Sequence, residues 1–156
     1  MPLFRPTSRF VPGALRTAPL LFLLLTASGA HADEAPGARA AATALQAAFT
    51  DCDPGPVQPF LSRRLKTYLA LGDLGPESGY YGADQAVLML RRLFARRTTL
   101  RFALAELPDR PGHAPVVLSA RWTFRDDGSD RGEAQLAFTL GSEPGGWRIR
   151  EIRAQK

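Results

Sequence analysis

Residues 80–104 read YYGADQAVLMLRRLFARRTTLRFAL, and the spacing of their apolar side chains changes midway. From Ala86 to Phe94 the apolar residues follow an i, i+3, i+4, i+7 pattern, which predicts a helix over residues 83–97. From Thr98 onward apolar and polar side chains alternate, as they do in a strand with one buried face. This stretch therefore predicts a helix that leads directly into a sheet.

The residues before this stretch favour further helices. Residues 38–50 are rich in alanine, and Leu45 and Phe49 lie four positions apart, so a first helix is predicted there. Asp53 is placed to cap a brief helical turn. The alternation in residues 64–71 predicts a strand, although a helix is also possible there.

The residues after this stretch favour strands alone. Alternating apolar residues predict strands over 116–125, 134–140 and 147–152. The connections are short and rich in glycine, proline and aspartate, which is typical of antiparallel hairpins. Helices followed by strands predict an α+β fold in which N-terminal helices pack on a curved antiparallel sheet.

The N-terminus has the three parts of a secretory signal peptide. Arg5, Arg9 and Arg16 precede an apolar block at 18–27, and Ala30-His31-Ala32 forms a small-x-small cleavage site. The apolar block is too short for the roughly 20 residues of a membrane-spanning helix. We therefore predict a signal peptide at 1–32, a short leader at 33–37, and a single domain at 38–156. The mature protein is expected to be soluble, in the periplasm or outside the cell.

Composition limits the function of the mature chain. Removing residues 1–32 takes away three of the 20 Lys and Arg residues and none of the 15 Asp and Glu residues, which leaves a net charge of about +2. With so small a charge and no aromatic stacking row, we expect no nucleic-acid partner. Cys52 is the only cysteine, so no internal disulfide is possible. Asp51 and Asp53 beside it disfavour a reactive thiolate.

The order helix, short helix, strand, helix and four antiparallel strands resembles the nuclear transport factor 2-like superfamily. The opening of the main helix at residues 80–86 is similar to that of small exported bacterial domains of unknown function in this superfamily. The resemblance covers residues 38–153. It implies a cone of helices over a bent sheet, and dimerisation through the outer face of that sheet. Superfamily members include isomerases, dehydratases, ligand carriers and dimerisation modules, so the fold decides no function.

Two acids are catalytic candidates because they fall on the same alternate positions of their strands as the apolar residues. Glu106 shares the parity of Phe102, and Glu151 shares that of Trp147 and Ile149, so both could face the interior. A carboxyl group there could serve as a general acid or base. The alternative is that both lie at strand ends, in water or paired with arginine.

Aromatic side chains are the candidates for ligand binding. Tyr80 and Tyr81 are expected at the mouth of the cone, where they either pack or offer a phenol to a ligand. The other candidates are expected in the interior: Phe102, Trp122, Phe138 and Trp147.

No sequence pattern indicates a metal or a cofactor. The one mature histidine, His113, is expected in a solvated loop, and one histidine with one cysteine cannot build a zinc site. Phosphate-binding glycine loops and a nucleophile elbow are absent. Four arginines are predicted on the polar side of the sheet: Arg101, Arg121, Arg148 and Arg150. Cross-strand pairing with acidic residues accounts for their presence there.

The sequence leaves two main hypotheses. The first is a non-enzymatic exported domain that binds a small apolar ligand or a protein partner, either an envelope protein or a second copy of the chain. The second is an isomerase or hydrolase-like enzyme that uses Glu106 or Glu151, with Tyr80 or Tyr81 as hydrogen-bond donor. A structural module of an envelope complex is a third possibility.

Overall fold

The structure is a computed structural model that describes residues 37–107, 114–128 and 130–155. The predicted signal peptide and His113 lie outside these ranges. Within them the elements in chain order are α1 (Ala38–Asp51), a first 3₁₀ helix (Gly55–Phe60), β1 (Thr67–Ala70), a second 3₁₀ helix (Gly72–Leu74), β2 (Gly79–Tyr81), α2 (Ala83–Phe94), β3 (Arg97–Leu104), β4 (Val116–Asp126), β5 (Arg131–Glu143) and β6 (Gly146–Gln155).

The strands form one curved, unclosed sheet in the order β2-β1-β6-β5-β4-β3. The predicted α+β class is therefore confirmed. The sheet is mixed rather than purely antiparallel, because β1 pairs in parallel with β6. A parallel pair needs a long crossover, and here α2 and four further strands supply it. Residues 79–81, expected as a turn and a helix opening, form the edge strand β2 against β1.

The helices cover one face of the sheet and bury their apolar sides against it. Leu45 and Phe49 of α1 are fully buried, as are Ala86 and Leu90 of α2. The helical spacing predicted for both elements therefore matches their buried faces. Helix α1 ends at Cys52, which has a left-handed backbone (φ 54°) at the C-cap position.

Two β-bulges shift the side-chain alternation within single strands. In β3 the register slips between Thr99 and Arg101, and Leu100 is consequently 45% exposed instead of sharing the inner face with Phe102. In β6 the register slips opposite Thr139 and Leu140, so that Ile149 and Ile152 are both buried. The strict alternation assumed from the sequence is wrong at both places, because each bulge adds one unpaired residue.

Gly132 of β5 lies directly opposite Phe124 of β4. A Cβ atom at Gly132 would lie 2.5 Å from two carbons of the Phe124 ring, and that ring is tilted against Trp122 at 4.5 Å. We expect Gly132→Ala to lower the free energy of unfolding by about 1–3 kcal/mol, since the rigid ring must move within a packed core. Urea denaturation would measure this loss. Gly128→Ala is the control, because open space surrounds Gly128, and equal losses in both variants would contradict the prediction.

Candidate functional site

The interior of the cone is packed around Phe49. Its ring stacks on Phe102 with centroids 4.8 Å apart, and it meets Trp122 and Phe138 edge to face at 5.4 Å each. Trp122 and Phe138 are completely buried, and Phe102 is nearly so. Three of the six residues predicted to bind a ligand therefore form the aromatic core of the domain with Phe49.

A hydroxyl group ties this aromatic core to the end of α1. Thr99 donates a hydrogen bond of 2.6 Å to the backbone oxygen of Phe49 and accepts one of 2.8 Å from the indole nitrogen of Trp122. The thiol of Cys52 lies 3.3 Å from the same hydroxyl and 3.4 Å from the backbone oxygen of Arg97. Cys52 is thus a half-buried packing residue at a helix end, as the sequence predicts.

The two predicted acids do not enter the interior. Glu151 lies opposite Thr139 on the outer face, where it accepts a 3.0 Å hydrogen bond from that hydroxyl and contacts Arg153 at 3.5 Å. Glu151 does not have the inward orientation that simple alternation allows, because the bulge in β6 places Ile152 inside instead. Glu106 is exposed just beyond the end of β3. Glu106 therefore lies at a strand end, as the alternative states, whereas Glu151 lies within β6 and matches the alternative only in its contact with an arginine.

The remaining aromatic candidates lie apart from the interior rings. Tyr80 is 69% exposed on the edge strand, with its ring 4.9 Å from that of Tyr68. Tyr81 is half-buried, and its hydroxyl donates a hydrogen bond to the backbone oxygen of Glu77. Trp147 is half-buried at the start of β6. The structure therefore does not bring the six aromatic candidates together at one site.

A cavity of about 560 Å³ lies outside the aromatic core. It opens between the first 3₁₀ helix, the loop at residues 61–64, the start of α2 and the turn between β5 and β6. We call it the external cavity. Its charged lining consists of Arg63, Arg64, Asp84, Glu143 and Arg148.

Ser62 joins the two sides of the external cavity. Its hydroxyl accepts hydrogen bonds from the backbone N–H groups of Arg64 and Leu65 and donates one of 2.9 Å to Glu143 Oε2. Glu143 Oε1 lies 2.9 Å from Arg150 Nη1, an ion-pair distance with poor hydrogen-bond alignment. The Glu143 side chain is 7% exposed. These contacts hold the loop that carries the arginines against the β5–β6 turn.

Sequence reasoning missed this cavity because its charged residues are far apart along the chain. Residues 63 and 64 fall at the predicted start of a strand, and Arg148 falls on the polar side of the last strand. A parallel bridge between Leu61 and Ile149 brings the two segments together. The serine followed by two arginines is the local signal that could have indicated the turn, since a serine side chain often accepts bonds from the next backbone N–H groups.

Two further features concern metals and membranes. Among the described residues, no group of three or more His, Cys, Asp and Glu side chains is placed to hold a metal ion. No helix in the described part of the chain is long and apolar enough to cross a membrane.

Comparison with known proteins establishes the fold. No family model matches the chain, and no curated protein matches it. A DUF4783 family protein from Bacteroides uniformis superimposes with a TM-score of 0.60 and 13% identity, over 73% of this chain and 94% of that one.

Two other solved structures have similar folds. A protein from Mesorhizobium loti described as a SnoaL-like polyketide cyclase gives a TM-score of 0.55 and 12% identity, over 76% of this chain and 97% of that one. A designed protein with an NTF2-like fold superimposes with a TM-score of 0.51 and 17% identity, over 76% of this chain and 96% of that one. Identities this low establish architecture and leave function open. With the helices, the strand order and these matches in agreement, the chain has the nuclear transport factor 2-like fold.

Proposed function

We propose that this protein is an exported binding domain that holds a small ligand in the external cavity and catalyses no reaction. The observation that carries the proposal is the division of the molecule into a packed aromatic interior and a separate polar cavity. An apolar ligand in the interior would have to displace Phe49 from four aromatic neighbours. A ligand in the external cavity displaces no core side chain. The predicted signal peptide at residues 1–32 supports export.

The geometry gives less support to an enzyme that uses the predicted acids. Glu106 is exposed, and Glu151 is held on the outer face by Thr139 and Arg153. A general acid or base works best when it is positioned within hydrogen-bond reach of a bound substrate. Neither acid lines the external cavity. Docking of a protein partner or a second copy on the outer face of the sheet is the competing hypothesis.

Native mass spectrometry of the protein recovered from the exported fraction tests the proposal. We expect a chain that begins at Asp33 and carries a stoichiometric small-molecule adduct. Arg63→Gln/Leu61→Ala, two changes in the cavity lining, should reduce the adduct, and Arg125→Gln/Leu100→Ala should leave it unchanged, because neither residue lines the cavity. A dimer or hetero-complex without any small molecule would overturn the proposal in favour of the protein-partner hypothesis.

A further inference from the structure

We infer that the external cavity selects a small organic anion, whose carboxylate or phosphate group is held by Arg63, Arg64 and Arg148. The inference deepens the proposed function and rests on it, since it names the chemical class of the ligand. Three guanidinium groups line this cavity together with only two carboxylates. The positions of those two carboxylates decide how much positive charge is available to a ligand.

Glu143 is already compensated by its own partners. One carboxylate oxygen accepts a hydrogen bond from the Ser62 hydroxyl. The other lies against Arg150, which does not line the cavity. Asp84, an exposed residue in the first turn of α2, is the other acid. Among the described carboxylates, none lies within 4.0 Å of a guanidinium nitrogen of Arg63, Arg64 or Arg148. The cavity therefore has an excess of positive charge that an anion would neutralise.

Two of the cationic segments are held in place before a ligand arrives. The backbone of the loop that carries Arg63 and Arg64 is held by Ser62. The Ser62 Oγ accepts hydrogen bonds from Arg64 N at 3.1 Å and from Leu65 N at 3.0 Å. Arg148 donates from Nη1 to the Trp147 oxygen and from Nη2 to the Gly145 oxygen. A guanidinium has five N–H donors, so three remain for a ligand. The Arg148 guanidinium is thereby preorganised, and preorganised donors lose less conformational entropy when an anion binds; for Arg63 and Arg64 it is the backbone that is held.

The start of α2 adds to the same field. Helix α2 begins at Ala83, and its N-cap residue is Gly82, which has no side chain to accept a bond from the first turn. Ala83 lines the external cavity, and a neighbouring cavity shares Arg63, Ala83 and Asp84 with it. The N-terminus of a helix carries a partial positive charge that favours an anion nearby. This contribution has the same sign as that of the arginines.

The size of the cavity selects a small molecule. Its volume of about 560 Å³ falls within the roughly 300–1,000 Å³ that is typical of small-molecule sites. Guanidinium groups bind both carboxylate and phosphate through paired N–H donors. The shared chemistry is thus an oxyanion on a small organic molecule, and the experiment must separate the two kinds of oxyanion.

Isothermal titration calorimetry of the exported protein with citrate, inorganic phosphate and neutral glucose tests the inference. We expect at least one of the two anions to bind one per chain, and glucose not to bind. Arg63→Gln/Arg64→Gln should weaken anion binding by about tenfold or more, since charge-assisted hydrogen bonds are lost. Citrate without phosphate would identify a carboxylate site, and the reverse a phosphate site.

Arg125→Gln/Arg131→Gln is the matched control. These exposed arginines face each other across β4 and β5, and they do not line the cavity. The control should change the affinity by less than about twofold, because screening weakens the effect of distant exposed charges. Equal weakening by both pairs, or no anion binding at all, would overturn the inference. A neutral adduct in the mass spectrum that Arg63→Gln/Arg64→Gln retains would also overturn it, while leaving the proposed binding function intact.

Discussion

Phe49→Ala is expected to lower the free energy of unfolding by about 3–5 kcal/mol, the range for truncation of a buried phenylalanine. Phe49 is fully buried and contacts Phe94, Phe102, Trp122 and Phe138 through its ring. Four aromatic neighbours cannot collapse easily into the space that the ring leaves, so the cost should lie towards the upper end of the range. Urea denaturation followed by circular dichroism would measure it.

Leu100→Ala is the control for this prediction. Leu100 is an apolar residue of β3 that the bulge leaves 45% exposed. Its truncation should cost less than about 1 kcal/mol, since it buries little apolar area. A loss in Phe49→Ala no larger than that of the control would contradict the description of the interior as a packed core around Phe49.

The same variant tests the apolar-ligand hypothesis. Removal of the Phe49 ring should create an apolar cavity at the centre of the fold, and such cavities stay dry and bind small aromatic molecules. We expect benzene to raise the melting temperature of Phe49→Ala and to leave that of the wild type unchanged. A comparable rise in the wild type would show that the interior admits an apolar ligand without the mutation, as the sequence-based hypothesis states.

Periodicity in the sequence predicts most of the fold. The apolar spacing around Phe49 and Leu90 indicates helices with buried faces, and alternation around Trp122 and Phe138 indicates strands. Alternation alone cannot locate a β-bulge, because the pattern around Leu100 stays regular and the three-residue spacing of Ile149 and Ile152 is equally compatible with the end of a strand. Simple alternation consequently puts Leu100 and Glu151 on the inner face of the sheet, and neither lies there.

Local sequence patterns also do not show whether the interior of the cone is packed with side chains or open to a ligand. A set of inward aromatic residues describes a ligand pocket and a packed core equally well, and the difference depends on whether a helix places a side chain among them. Phe49 does so here. The external cavity depends likewise on the parallel pairing of residues 61 and 149, which are brought together only by the complete topology of the sheet.

Thr99→Val is expected to lower the free energy of unfolding by about 2–3 kcal/mol, because two buried polar groups lose their partner at once. The backbone oxygen of Phe49 lies in the last turn of α1, where carbonyl groups have no partner within the helix. The indole N–H of fully buried Trp122 also bonds to the Thr99 hydroxyl. Valine preserves the shape of threonine, so the loss reports these hydrogen bonds rather than a cavity.

Thr98→Val separates this effect from the general consequence of placing valine in β3. Thr98 is the preceding residue of the same strand and is exposed. Its replacement should change stability by no more than about 0.5 kcal/mol, as is usual for surface positions. Urea denaturation of both variants gives the comparison, and tryptophan fluorescence of Thr99→Val before unfolding should report a changed environment of Trp122. Equal stability of the two variants would mean that the Thr99 hydroxyl contributes nothing to the attachment of α1 to the aromatic core. In that case the buried side chains of Leu45 and Phe49, with the Gln46 hydrogen bonds to the backbone of β3, would hold the helix against the sheet.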